Sequence, residues 1–141
     1  MTQPSDIGPV ELVVLTFPGT TADPATVAAL QDVVDRGYVT LLDLVYIAKD
    51  SAGNLTEIDV EEDLADAGLA DLAIEAQDWI SDDDLDVVRA SLEPGTSAAI
   101  IVYEESWARR IATAARAAGG EVALHVQVPR DAVVAAVEHA R

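Results

Sequence analysis

Thr96-Ser97-Ala98-Ala99-Ile100-Ile101-Val102-Tyr103 is the stretch that decides the fold. Successive side chains of a strand point to opposite faces, so a half-buried strand alternates apolar and polar residues. Here Ala98, Ile100 and Val102 fill one face while Ala99, Ile101 and Tyr103 fill the other. Neither face suits water, which is the pattern of a strand in the middle of a sheet covered on both sides. Pro9 to Phe17, apolar on both faces except at Glu11, has the same character. Two such strands predict a sheet that needs a layer on each side.

Outward from that strand, the punctuation is clear. Asp23 is a good N-cap, Pro24 a favoured first helical residue and Gly37 a good stop, and Val27, Leu30, Val33 and Val34 form one apolar stripe between them. Tyr38–Lys49 and Leu55–Val60 read as strands joined by Asp50-Ser51-Ala52-Gly53-Asn54, a hairpin loop by its chemistry. Ser81 caps a second helix with Asp82, Asp83 and Asp84 in its first turn, where the macrodipole favours negative charge. Leu85, Val88 and Leu92 make its buried stripe and Pro94-Gly95 ends it. A weaker helical pattern covers 64–80. Past Tyr103, a helix is expected over Trp107–Ala118, a strand over Glu121–Val128 and a helix over Pro129–Ala140.

The predicted class is α/β (α+β). The order β-α-β-β-α-β matches the ferredoxin-like split βαβ core, here followed by a C-terminal α-β-α extension. That arrangement has strand order 4-1-3-2 and both helices on one face. The other face would then be covered by the C-terminal elements or by another subunit. Crossovers between parallel strands are nearly always right-handed, so placing the last strand beside Tyr38–Lys49 would carry the Trp107–Ala118 helix to the open face. Residues 1–8 read as a flexible tail and 9–141 as one domain.

At 141 residues the chain is long enough to bury roughly 70% of its unfolded surface. Only 4% of the residues are aromatic, so the core must come from Val, Leu, Ile and Ala. Cysteine is absent, which excludes disulfides, thiolate catalysis and Cys-ligated metal centres. Met1–Asp6 has neither a basic nor an apolar run, and no stretch reaches the roughly 18 apolar residues of a membrane span, so a cytoplasmic protein is expected. The net charge of −18 opposes nucleic acid and anionic lipid, both of which are bound through Lys and Arg. No nucleic-acid or membrane partner is expected, and the partner class that such a field favours is a basic protein.

Ile80-Ser81-Asp82-Asp83-Asp84-Leu85, followed by Leu92-Glu93-Pro94-Gly95-Thr96-Ser97-Ala98, resembles a bacterial family of unknown function. Its members carry an acidic helix start and then Leu-Glu-Pro-Gly-Ser/Thr-Ser-Ala before a buried strand. Gly8-Pro9-Val10-Glu11, with Phe17-Pro18-Gly19, resembles a soluble actinobacterial branch of that group. The wider family places a Gly-rich, membrane-associated hairpin where this chain has the acidic segment Leu64–Ile80 with only Gly68. That departure removes the membrane inference, and the resemblance implies no activity.

No catalytic constellation, metal site or cofactor site is expected. Asp50–Glu61 has the length of an EF-hand loop, but Ala52 and Leu55 stand where an oxygen ligand and a glycine belong. The acidic clusters at 59–63 and 82–84 read as solvated surface and helix capping. His139 reads as a cation at a helix end and His125 as a sheet-surface residue. Arg109 and Arg110 stand in a helix's first turn, where they serve salt bridges or an anionic contact.

Asp43 is the outlier. On the pleat it shares a face with Leu41, Val45 and Ile47, and it could be an acid/base with a raised pKa, a partner for Arg across an interface, or a residue where the face becomes wet. Trp107 starts a helix after a strand, a common place for ligands in α/β units. Asp43, Tyr46, Trp107 and His125 are the candidate lining of a ligand pocket between helices and sheet. Leu69, Leu72, Ala76 and Ile80 repeat at helical spacing and are the candidate oligomer interface, with a core-facing stripe as the alternative. The expectation is therefore a non-enzymatic cytoplasmic homo-oligomer with a structural, regulatory or ligand-binding role. The rival is a small cofactor-independent enzyme or small-molecule sensor.

Overall fold

The computed structural model describes residues 7–59 and 79–140. Its elements are β1 (Val10–Pro18), α1 (Pro24–Asp35), β2 (Thr40–Lys49), β3 (Leu55–Asp59), α2 (Asp82–Ser91), β4 (Thr96–Glu104), α3 (Ser106–Ala117) and α4 (Arg130–His139). The protein is a mixed α+β chain that divides into two compact units, Met1–Ile111 and Ala112–Arg141. The weak helical pattern over 64–80 lies outside the described residues as far as residue 78.

Local chemistry sets the element ends. The Asp23 carboxylate accepts from the backbone N–H and the hydroxyl of Thr26, both at 2.9 Å, which caps α1. At the other end Gly37, with φ +75°, donates to Val34 O while the Tyr38 N–H reaches Val33 O. These two bonds close the helix in a Schellman turn whose left-handed residue has to be small. Ser81 Oγ accepts from the Asp84 N–H at 3.1 Å, and the three aspartates fill the first turn of α2. In the β2–β3 hairpin the Asp50 carboxylate accepts from the N–H groups of Asn54 (2.8 Å) and Ala52 (2.9 Å). Those bonds, the one from Asn54 first among them, hold its pKa below the ordinary carboxylate value.

The four strands form one antiparallel sheet in the order β1-β4-β2-β3. This corrects the expected ferredoxin-like order 4-1-3-2. β2 and β4 have the most deeply buried residues and take the centre, whereas β1, carrying Glu11, and the short polar β3 take the edges.

The layers also differ from expectation. Val27, Leu30 and Val34 of α1 pack on Leu41, Leu44, Tyr46, Ala99 and Ile101. Leu85, Val88 and Leu92, the stripe of α2 and its C-cap, pack with Ile80 on Leu42, Val45, Ile47, Ala98, Ile100 and Val102. The two helices therefore lie on opposite faces, and α2 supplies the second layer that the sequence demanded from the C-terminal elements or a neighbouring copy. In this strand order the β1–β2 and β3–β4 connections are related by a half-turn about the sheet normal. Equal hands would put both helices on one face, so the two connections differ in hand. The rule of right-handed crossovers holds for at most one of them.

The predicted strand Glu121–Val128 is not a strand. Among the described residues none of its backbone groups is hydrogen-bonded, and Val122, Leu124, Val126 and Val128 are 51%, 77%, 64% and 59% exposed. A period-two pattern specifies which side of a strand is buried; the strand itself exists only when a neighbour takes up its N–H and C=O groups. Over 112–140 no residue is buried, and only Ala112, Ala115 and Val133 are half-buried.

Candidate functional site

Asp43 owes its position to a β-bulge. The register of β2 on β4 slips between Leu41 and Asp43, so Leu42 is the extra residue. Leu41 turns to the α1 face, opposite Tyr103, and Leu42 replaces it beside Asp43, Val45 and Ile47 on the α2 face. Asp43 is 4% exposed, and among the described residues it forms no salt bridge. It accepts from the N–H groups of Leu44 (2.9 Å), Trp79 (3.0 Å) and Ile80 (3.3 Å). Asp43 thus anchors the chain where it enters α2 and seats Ile80 in the core. Three N–H donors on one carboxylate are a sufficient structural reason for burying it.

Tyr46 faces the other way. Its ring is buried against Phe17 with centroids 6.5 Å apart, and its hydroxyl lies 2.6 Å from Ser97 Oγ. Burial pushes the Tyr46 pKa up, and the bond to Ser97 works against that shift. An open groove of about 310 Å³ runs past it, lined by Thr20, Thr21, Ala48, Asp50, Thr56 and Ile58. Asp43 and Tyr46 are on opposite faces of the sheet, so they do not share a pocket. Trp107 is half exposed at the start of α3, its N–H donating to Tyr38 O at 3.1 Å, and His125 is exposed within the unpaired 121–128 segment. Of the proposed interface residues, Leu69, Leu72 and Ala76 lie outside the described residues, while Ile80 is buried under α2.

A polar cluster outside the candidate residues lies where β1, β2 and α3 meet. Glu104, 3% exposed, accepts from the Gly8 N–H at 2.6 Å and from Ser106 Oγ at 3.3 Å, and Arg109 stands 3.4 Å away. Ser106 Oγ and Thr40 Oγ1 are 2.6 Å apart. A methyl group on Gly8 would come within 2.9 Å of Arg109 Cβ and 3.0 Å of Glu105 O. The Gly8-Pro9 opening is therefore explained by close backbone approach, and Arg109 by Glu104. A carboxylate ending an otherwise apolar strand was the available signal.

The Leu92–Ala98 motif is likewise architectural. Leu92 is buried under α2, Glu93 O accepts from the Thr96 N–H and hydroxyl, and Gly95, with φ +79°, donates to Lys49 O at 2.7 Å. Ser97 holds Tyr46, and Ala98 has no exposed surface. At the far edge of the sheet Arg89 forks onto both oxygens of Glu57, and that bond holds the Glu57 pKa down.

Among the described residues, several large apolar side chains stand exposed. Leu12 (42% exposed) and Val14 (39%) stand on the α2 side of edge strand β1. A groove of about 380 Å³ lies beside them, lined by Val14, Thr16, Pro18, Val88 and Leu92 among others. Val134 and Val137 of the C-terminal unit, like Val122, Leu124, Val126 and Val128, are exposed, and so by itself is Ile111. Among the described residues no group of three or more His, Asp or Glu side chains could hold a metal ion, and no helix is long and apolar enough to cross a membrane.

A family described only as a family of unknown function, DUF6325, matches residues 6–140. No curated protein and no solved structure matches the chain.

Proposed function

Since the chain belongs to this family of unknown function, we propose from its own surface that it is a self-associating cytoplasmic module with a structural or regulatory role and no catalytic activity of its own. One observation carries this proposal: Val122, Leu124, Val126 and Val128, at every second position of one segment, are each more than half exposed. Contiguous exposed apolar surface on a soluble protein marks an interaction site. Strong acidity elsewhere keeps such a protein soluble between encounters. The sheet faces, the first candidate for assembly, are occupied by α1 and α2, so the association surface moves to the C-terminal unit. The Leu92–Ala98 motif and the Gly8-Pro9 opening support placing the chain in a soluble actinobacterial branch of its family.

The rival pocket of Asp43, Tyr46, Trp107 and His125 has no comparable support, because its first two members are divided by the sheet. Size-exclusion chromatography with light scattering tests the proposal. A dimer or larger species at micromolar concentration is expected, and a monomer there would refute self-association.

A further inference from the structure

Resting on that self-association, we propose its mode: residues 121–128 of one molecule add as a fifth strand to the outer edge of β1 in a second copy, and the exchange is reciprocal.

The donor is strand-patterned throughout. Val122, Leu124, Val126 and Val128 would lie on one side, and Ala123, His125 and Gln127 on the other. Its backbone groups are unpaired among the described residues, so pairing breaks nothing already formed there.

The acceptor is β1. Among the described residues, its nine residues, Val10–Pro18, pair with β4 on one side only, in a register without a bulge. Natural edges are guarded by Lys, by Pro within the strand, by bulges or by short length. This one has no Lys or Arg, and its proline stands at the very end. Its single charge, Glu11, already accepts from the Tyr103 hydroxyl at 2.9 Å. The opposite edge, β3, is five residues long, and Glu57 on it is engaged by Arg89. Of the two edges, β1 is the one left open by the described residues.

The faces also match. Val10, Leu12 and Val14 point to the α2 side, where the groove lined by Val14, Val88 and Leu92 opens beside them. An added strand with its Val/Leu row on that side would extend the apolar row of β1, cover Leu12 and Val14, and place His125 and Gln127 on the side of Glu11. Side chains on neighbouring strands pair in this way at about 5 Å.

Charge argues for a second copy. Residues 112–141 hold three arginines (Arg116, Arg130, Arg141) against three carboxylates (Glu121, Asp131, Glu138), so the whole net charge of −18 falls on residues 1–111. Two such bodies repel each other when they meet face to face. The neutral C-terminal segment is the part of this chain that can approach an acidic body without that penalty. Each chain carries both donor strand and acceptor edge, so a twofold exchange satisfies both and closes on itself.

The test uses the full chain at micromolar concentration and two variants, Leu124→Pro and Leu12→Lys. Leu124→Pro removes an N–H from a segment that pairs with nothing among the described residues, so the variant should stay folded, with the helical circular dichroism of wild type and only the strand signal of 121–128 lost. Leu12→Lys places a charge on the edge itself. Wild type should be a dimer whose 121–128 amides resist hydrogen exchange. Both variants should dissociate at least about 100-fold more readily and lose that protection, a change equal to two tenfold steps in affinity. If the dimer survives both substitutions, the strand exchange is refuted while self-association stands. A wild-type monomer refutes both, whether 121–128 is then protected by its own chain or exchanges freely. Pairing seen only when a basic protein is added refutes the second copy as occupant.

Discussion

Replacing Asp43 by Asn separates an anchoring carboxylate from a reactive one. The carboxylate takes one N–H on Oδ1, from Leu44, and two on Oδ2, from Trp79 and Ile80. Asn is nearly isosteric but offers one oxygen only. Whichever way the amide is turned, its NH₂ faces at least one buried N–H, and with the oxygen kept toward Leu44 it faces two. Two bonds to a charged acceptor are worth about 1.5–3 kcal/mol each. Part of that is offset because a buried carboxylate no longer has to be desolvated. The net expectation is a loss of about 2–4 kcal/mol. At ~2–4 °C per kcal/mol for a chain of this size, the midpoint falls by roughly 4–16 °C. Urea unfolding followed by tryptophan fluorescence provides the free-energy measurement. The midpoint should drop with an unchanged denaturant slope, since Asn does not alter the surface exposed on unfolding. Asp43→Asn as stable as wild type, or more stable, would refute the anchoring role and point back to a carboxylate kept for chemistry at a cost in stability.

Tyr46→Phe leaves Ser97 Oγ without its buried partner, and Ser97→Ala does the same to the tyrosine hydroxyl, so each should cost about 1–3 kcal/mol. The double variant should cost little more than either single, and additive losses in the same urea assay would deny the coupling. Tyr103 titrates late: burial first, then its bond to Glu11, pushes its pKa up to about 12. The neutral phenol is thus favoured in the folded chain. Below the ordinary value near 10 both states hold the proton and its contribution is constant; between about 10 and 12 the unfolded chain loses it first, and stability falls as pH rises. Ultraviolet titration should show two late tyrosines, Tyr46 and Tyr103, and Tyr103→Phe should remove the one near 12. A titration with three ordinary tyrosines would contradict the Glu11 contact.

Much of the architecture is legible residue by residue because its causes are local. Asp23 with Pro24, Gly37, Asp50 with Gly53, and Ser81 with Asp82–Asp84 each set a helix end or a turn through bonds spanning only a few residues. The apolar stripes of α1 and α2 follow from the same short-range periodicity. Asp43 was identified as exceptional from its neighbours alone. Its actual partners, the N–H groups of Trp79 and Ile80, are 36 and 37 residues away, and no pattern along the chain connects them to it. The Glu104 cluster escaped notice for the same reason, since it joins Gly8, Thr40 and Arg109 across the ends of three elements.

By itself the sequence determined that β4 would be buried on both faces, that α1 and α2 would each carry one apolar stripe, and that the net charge lies outside residues 112–141. Tertiary structure alone decided that β4 rather than β1 takes a central place, that α2 crosses to the face opposite α1, and that 121–128 stays unpaired within the described chain. Periodicity records how much of a residue is hidden and on which side. The neighbour that hides it is chosen by competition among all strands and helices at once, through packing and hydrogen bonds between segments far apart in the chain.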